Sequence, residues 1–305
     1  MGICHKDGRE NRITKIIGVY AWQNITMLDM MGPQLFFGFV SGFEVLTFAK
    51  SKDPVVTDVG VRLISDHDFA TCPPFDILLV GGGANPLPEM QDGDIMSFLR
   101  QVGGSAEYIT SVCTGSLILA HAGLLDGYQA TTHWAYQDRL CRYPDVEVVT
   151  GRVVTERNRI TGGGVTAGID LGLPLVERLA GLEAAAGLQL LTEYDPQPPT
   201  NCGSPDDAPP QLTAAMRQQL DDMAPGLTRF IADNTAPGCA HGPQRSLGRA
   251  CAGQRAGTTH GDHGQLVPSP APGPQRAHRY DHRGGAQHVQ GDQHLGHPGE
   301  RLHGA

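Results

Sequence analysis

Cys113 is the residue in this 305-residue chain whose surroundings most clearly suggest chemistry. It stands in Tyr108-Ile109-Thr110-Ser111-Val112-Cys113-Thr114-Gly115-Ser116, an apolar run that breaks abruptly into small residues. That pattern predicts a strand turning into a helix through a nucleophile elbow, with a strained residue at the turn and small neighbours that let the helix pack close. A sulfur so placed would lie at a helix N-terminus, where the dipole favours thiolate. The alternative is a buried, inert cysteine; the junction and the Thr-Gly-Ser that follows it favour the functional reading.

Three other places could serve such a nucleophile. Gly81-Gly82-Gly83 follows the run Asp76-Ile77-Leu78-Leu79-Val80, so the Gly83 amide, paired with the N–H of Thr114, could form an oxyanion hole. There is no GxGxxG and no GxxxxGK[ST] anywhere, which argues against a nucleotide loop. Asp29, in Leu28-Asp29-Met30-Met31-Gly32-Pro33, is an acid among apolar residues. Desolvation would raise its pKa and let it both give and take a proton, or it could simply cap the next helix. His133, in Thr131-Thr132-His133-Trp134, is the obvious base for a Cys–His pair, but capping a helix that begins at Trp134 weighs slightly more. His121 falls on the outward side of the helix after Cys113, and His67 falls in a loop. The 161–168 run, rich in glycine, fits close helix packing as well as ligand contact.

These residues must be held by a scaffold, and the pattern predicts one. Buried strands are expected at 13–22, 43–49, 76–80 and 108–112, with a hairpin around Gly60 and short strands at 146–149, 152–155 and 159–161. Helices are expected at 35–40 (behind Gly32-Pro33), 89–102, 114–125, 134–143, 167–193 and 209–223. Strands alternating with helices make an open α/β sandwich, whose site lies beyond the carboxyl ends of its strands.

Composition narrows the function. The chain carries 23 basic and 32 acidic residues, a net charge of −9, so no general attraction to nucleic acid or anionic lipid is expected. No apolar run reaches the length of a membrane span. The polar start, Met1 to Arg12, predicts no signal peptide. Lys6 stands where a myristoylation motif wants Ser or Thr. Seven cysteines without a CxxC predict reduced thiols and a cytoplasmic protein. A compositional break falls near residue 236. Residues 237–305 hold nine of the 13 histidines, 21 Gly or Pro and only six Leu, Val, Ile or Met. Such a stretch cannot offset its ordering entropy, so a low-complexity tail is expected there, in preference to a metal-binding histidine arm or a basic nucleic-acid arm. The chain thus divides into a polar extension at 1–12, a folded domain at 13–230 and a tail at 237–305.

The stretches LDMMGP (28–33), DILLVGGG (76–83), TSVCTGSLILAHAGLLDGYQATTHWA (110–135), ITGGGVTAGID (160–170) and EYDPQPPTNCGSP (193–205) resemble the glutamine-amidotransferase-like superfamily that includes the PfpI-type proteases and the Parkinsonism-associated deglycase. Within it they resemble the isonitrile hydratase branch most. The resemblance implies a flavodoxin-like three-layer sandwich with a mostly parallel sheet, commonly a homodimer, without metal or organic cofactor. It implies Cys113 as nucleophile, Asp29 as acid/base and Thr114 beside the nucleophile, with Gly82 and His133 toward a substrate pocket. The activity implied is hydration of a small isonitrile, R–N≡C, to the N-substituted formamide through a thioimidate on Cys113. Proteases of this kind place a histidine directly after the cysteine; Thr114 stands here, against peptidase activity. The deglycase branch uses a glutamate near the end of the first strand, where this chain has Asp29, which counts against a dicarbonyl-directed chaperone. The main rival is a non-catalytic ligand-sensing domain like those of AraC-type transcription regulators, which share the SxCTG and TTHW motifs. Such regulators carry helix-turn-helix units downstream, and residues after 236 show no matching periodicity.

Overall fold

A computed structural model describes residues 15–235; the expectations for 1–12 and 237–305 lie outside the described residues. The first strand, β1 (Lys15–Tyr20), leads to α1 (Met27–Phe39) and back to β2 (Phe43–Ala49). A two-stranded ribbon, β3 (Val55–Val56) with β4 (Arg62–Leu63), turns over Gly60 at φ 81° as expected, and His67 sits on a short strand, β5 (His67–Asp68), where a loop was expected. Strand β6 (Ile77–Val80) is followed by α2 (Leu87–Gln91), α3 (Gly93–Ser105), β7 (Tyr108–Val112) and α4 (Gly115–His121). Then come β8 (Tyr128–Ala130), a 3₁₀ turn at Trp134–Tyr136, α5 (Gln137–Leu140), β9 (Val146–Val148), β10 (Val153–Glu156) and β11 (Arg159–Gly162). Helices α6 (Ala167–Ala180), α7 (Leu182–Leu191), α8 (Pro210–Met223) and α9 (Leu227–Asn234) complete the described chain.

Seven strands form one sheet in the order β10-β11-β7-β6-β1-β2-β5, parallel throughout except for β10 against β11. This is the expected flavodoxin-like sandwich. The four residues of β6 are all fully buried, as a central parallel strand with helices on both faces requires. The crossovers from β1 to β2 and from β6 to β7 run in opposite directions along the sheet. Right-handed crossovers therefore put α1 on one face and α3 on the other. On the α1 face, α6 closes in along a seam of small residues: a Cβ on Gly168 would stand 3.0 Å from Pro33, and one on Gly172 3.1 Å from Phe36. Helix packing therefore accounts for that part of the glycine-rich motif.

Several element boundaries differ from the expectation. Helix α1 begins eight residues earlier than Leu35, so Pro33 lies mid-helix rather than near its first turn. The helix expected over 89–102 breaks at Asp92, whose carboxylate caps α3 by accepting from the N–H groups of Asp94 and Ile95 at 3.0 and 3.2 Å. Helix α4 stops at His121, ahead of Gly123 at φ 73°. His121 is half-buried, not outward, with its ring against Tyr143 and Phe230. The helix expected over 134–143 is a 3₁₀ turn running into one turn of α5.

Candidate active site

Strands β1, β6, β7 and β11 are consecutive parallel neighbours, so the loops after them converge at one end of the sheet. Cys113 occupies the middle of that end. Its φ is 57°, a left-handed conformation that costs a side-chain-bearing residue roughly 1–2 kcal/mol and marks the strained elbow. The surrounding chain holds it there. The Cys113 N–H donates to the carbonyls of Gly162 and Gly163 at 3.1 and 2.8 Å, and its own carbonyl accepts from Thr132 Oγ1 and Ser116 Oγ at 3.0 Å each. Gly115 must be glycine, because a Cβ would fall 2.1 Å from the Val80 carbonyl oxygen.

Asp29 lies in the first turn of α1 and is fully buried. It is not the cap of that helix. Asp58, from the β3–β4 turn, accepts from the Met27 N–H at 3.0 Å and takes that role. One Asp29 oxygen accepts from the Gly82 N–H at 2.9 Å. The other, Oδ1, has no conventional hydrogen-bond partner, and the weak thiol donor of Cys113 is the side-chain group that interacts with the carboxyl. Burial pushes the Asp29 pKa up to about 7, against the opposing pull of the Gly82 N–H and the thiol. The acid and the sulfur are thus neighbours, as the sequence led one to expect.

The state of the sulfur differs from the expectation. Burial, followed by the Asp29 charge, pushes the Cys113 thiol well above the ordinary cysteine range, against the opposing pull of the Thr114 N–H. A helix of seven residues, α4, does not outweigh desolvation of the sulfur. Burial thus favours the thiol over the thiolate suggested by helix-end placement.

The glycine loop is also used differently. The Gly83 N–H donates to Thr114 Oγ1 at 2.9 Å, and Thr114 Oγ1 donates to the Gly83 carbonyl at 2.7 Å. Gly83 is therefore committed to a two-way clamp on Thr114, and its amide does not stand free as the oxyanion donor proposed from sequence. The Thr114 N–H addresses the Cys113 sulfur. Gly82 lets this happen, since a Cβ there would stand 2.4 Å from the Thr114 nitrogen.

His133 caps the 3₁₀ turn, its Nδ1 accepting from the Ala135 N–H at 3.3 Å. Burial, with the Arg217 charge, pushes its pKa down to about 4, so the ring is neutral near pH 7, and its hydrogen bond is with Ala135, not with Cys113. The phenol of Tyr136, which sequence reasoning passed over, stands closer to the chemistry. It donates to the Ala84 carbonyl at 2.6 Å and is pushed up to about 12, chiefly by burial, with nearby Cys113 acting in the same direction when ionised. Among the described residues, no group of three His, Cys, Asp or Glu could hold a metal ion.

An elbow cysteine with a buried acid beside it on this sheet has known relatives. The DJ-1/PfpI family model matches residues 16–178. The chain belongs to the DJ-1/PfpI family. Among its relatives is isonitrile hydratase of Pseudomonas putida, 41% identical over 203 residues, which span 67% of this chain and 89% of that protein. A ThiJ/PfpI family protein from Pseudomonas syringae has a solved structure that superposes with a TM-score of 0.69 at 38% identity, covering 73% of this chain and 91% of that one. The transcriptional regulator GbdR of Pseudomonas aeruginosa is 29% identical over 196 residues, but those residues make up only 52% of the regulator. Among the described residues of this family member, no helix is long and apolar enough to cross a membrane.

Proposed function

We propose that this chain is an isonitrile hydratase that converts R–N≡C to the N-substituted formamide, with Cys113 as nucleophile and Asp29 as its proton carrier. The observation that carries the reading is the pairing of a strained elbow thiol with a buried carboxyl whose midpoint, about 7, lies near working pH. Similarity to a hydratase along 89% of that protein's length supports it.

In the working form the thiol is protonated and Asp29 is ionised. Asp29 takes the thiol proton as the sulfur attacks the terminal isonitrile carbon, then delivers it to that carbon. The S–H bond is lost, C–S and C–H bonds form, and N≡C becomes N=C, giving the thioimidate R–N=CH–S–Cys113. Asp29, ionised again, takes a proton from water as the water oxygen attacks the thioimidate carbon, and hands that proton to the nitrogen. The C–S bond then breaks, the hydroxyl proton returns to sulfur by way of Asp29, and R–NH–CHO leaves. The Thr114 N–H steadies the sulfur as charge grows and departs. The Thr114–Gly83 clamp positions that amide. His133 contributes a neutral wall, not a base. The small-molecule substrate and the homodimer implied by the family belong to the same proposal.

The test is formamide production from cyclohexyl isocyanide by the purified protein beside a Cys113→Ala control. Cysteine-dependent formamide supports the reading. Its absence from a folded protein defeats it and favours the second reading, a ligand-sensing domain, which rests on the similarity to GbdR and predicts binding of a small molecule without turnover.

A further inference from the structure

A cavity of about 280 Å³ has His133 in its lining. Trp134, residues 202–205, and Leu212, Met216 and Leu220 of α8 line it too. The reactive centre begins one residue away: Thr132, which precedes His133, holds the Cys113 carbonyl at 3.0 Å. The His133 ring meets the Tyr136 ring edge-on at 5.8 Å, and the Tyr136 phenol lies near enough to Cys113 to interact with it electrostatically.

The α8 lining has a pattern of its own. Leu212, Met216 and Leu220 recur every four residues, so they share one side of α8. Yet α8 has no fully buried residue, and Leu212 and Met216 remain 43% and 40% exposed. Side chains next to that stripe fix the helix in place. Arg217 Nη1 donates to the Ala135 carbonyl at 3.2 Å while its guanidinium lies over the Trp134 ring. The buried Arg139 donates to the same carbonyl at 3.0 Å, to Asp221 of α8 at 2.5 Å and to Thr228 of α9 at 3.0 Å. Two arginines thus tie α8 to the 133–136 turn while an apolar stripe faces a void between them.

We propose that this cavity receives the N-substituent of the isonitrile, and that Met216 and Leu212 set the largest group it accepts. The inference rests on the hydratase reading and names the part of the substrate that reading leaves open. An isonitrile reacts only at its terminal carbon, so everything beyond nitrogen must be housed elsewhere, and for alkyl isonitriles that part is apolar. The volume lies at the small end of ligand pockets, which suits a compact alkyl or cycloalkyl group. A neutral His133 and a hydrocarbon stripe offer such a group no unpaired charge.

The experiment fills the cavity from the α8 side with Met216→Trp and, separately, Leu212→Trp. Both positions are part-exposed, so the larger ring does not overpack a core. The kcat/KM for cyclohexyl isocyanide is expected to fall about 10- to 100-fold, with that for methyl isocyanide within about threefold of the parent; Met216→Ala is expected to shift preference toward larger substituents. Equal losses on both substrates, or no loss on either, overturn the proposal. Calorimetric titration of N-cyclohexylformamide into Cys113→Ala, with and without Met216→Trp, separates this inference from the hydratase reading. If wild type makes no formamide from either isonitrile, the hydratase reading falls. Formamide binding that Met216→Trp then weakens tenfold still supports the cavity as the seat of the substituent, and no binding or unchanged binding overturns it.

Discussion

The pH profile of kcat/KM gives the sharpest test of the proton-sharing pair. An aspartate at its ordinary pKa is more than about nine-tenths ionised at pH 5, so it would leave the rate flat from pH 5 to 8. With Asp29 pushed up to about 7 by burial, the ionised fraction falls from about nine-tenths at pH 8 to about one-hundredth at pH 5. The thiol keeps its proton throughout this range. The form with one shared proton therefore dominates above about pH 7 and is lost below it, and kcat/KM should drop close to tenfold per unit below about pH 6. Initial rates of formamide release would be measured at each pH with Cys113→Ala as the blank for acid hydrolysis of the isonitrile. Glu89, buried against the Tyr20 hydroxyl, is also pushed up to about 7 by burial, so the profile must be repeated in Glu89→Gln, where the inflection should persist. His133, at about 4, cannot produce it. Asp29→Asn should flatten the profile and lower the rate by about 10²- to 10⁴-fold. A wild-type rate that stays flat to pH 5, or climbs steadily above pH 8 as free thiolate accumulates, would refute the mechanism.

Three further outcomes follow from the geometry. Cys113→Gly should be about 1 kcal/mol more stable than Cys113→Ala, because glycine relieves the left-handed strain at φ 57°; urea denaturation of the two inactive proteins measures it. Gly115→Ala forces a methyl against the Val80 carbonyl and should cost about 3 kcal/mol or more, with turnover lost, as thermal unfolding and activity together would show. Glu89→Gln should stabilise the fold by about 2 kcal/mol more at pH 8 than at pH 5. The sign follows from the raised folded pKa: above about pH 4.5 the unfolded wild-type carboxyl ionises while the folded one stays neutral up to about 7, so stability is lost across that window and glutamine avoids the loss.

The elbow could be read from sequence because its grammar is local: a buried strand, a cysteine and three small residues. Asp29 was legible as a carboxyl out of place, but whether it capped a helix was not, since the actual cap, Asp58, comes from a turn 29 residues on. The fate of the Gly83 amide depends on a hydroxyl 31 residues away, and no pattern within either segment reveals that contact. The thiolate expectation failed because helix-end placement is visible in a sequence and desolvation is not. Tyr136, Arg139 and the α8 stripe share that difficulty: the Arg139–Asp221 contact spans 82 residues. The Leu227 and Ile231 pair, four apart and both fully buried, was a signal that could have revealed α9.

A thiol that keeps its proton until a substrate arrives has a consequence for the protein's chemical lifetime. Peroxides, alkylating agents and disulfides react with thiolate, and their rates scale with the fraction of sulfur that is charged. Burial and the neighbouring Asp29 carboxyl both disfavour charge on Cys113. On the proposed mechanism, oxidants common enough to consume an ordinary low-pKa cysteine would find little thiolate to attack at Cys113. Selectivity would then come from withholding charge: a reagent that takes up the shared proton as it binds sulfur would react where a simple oxidant does not.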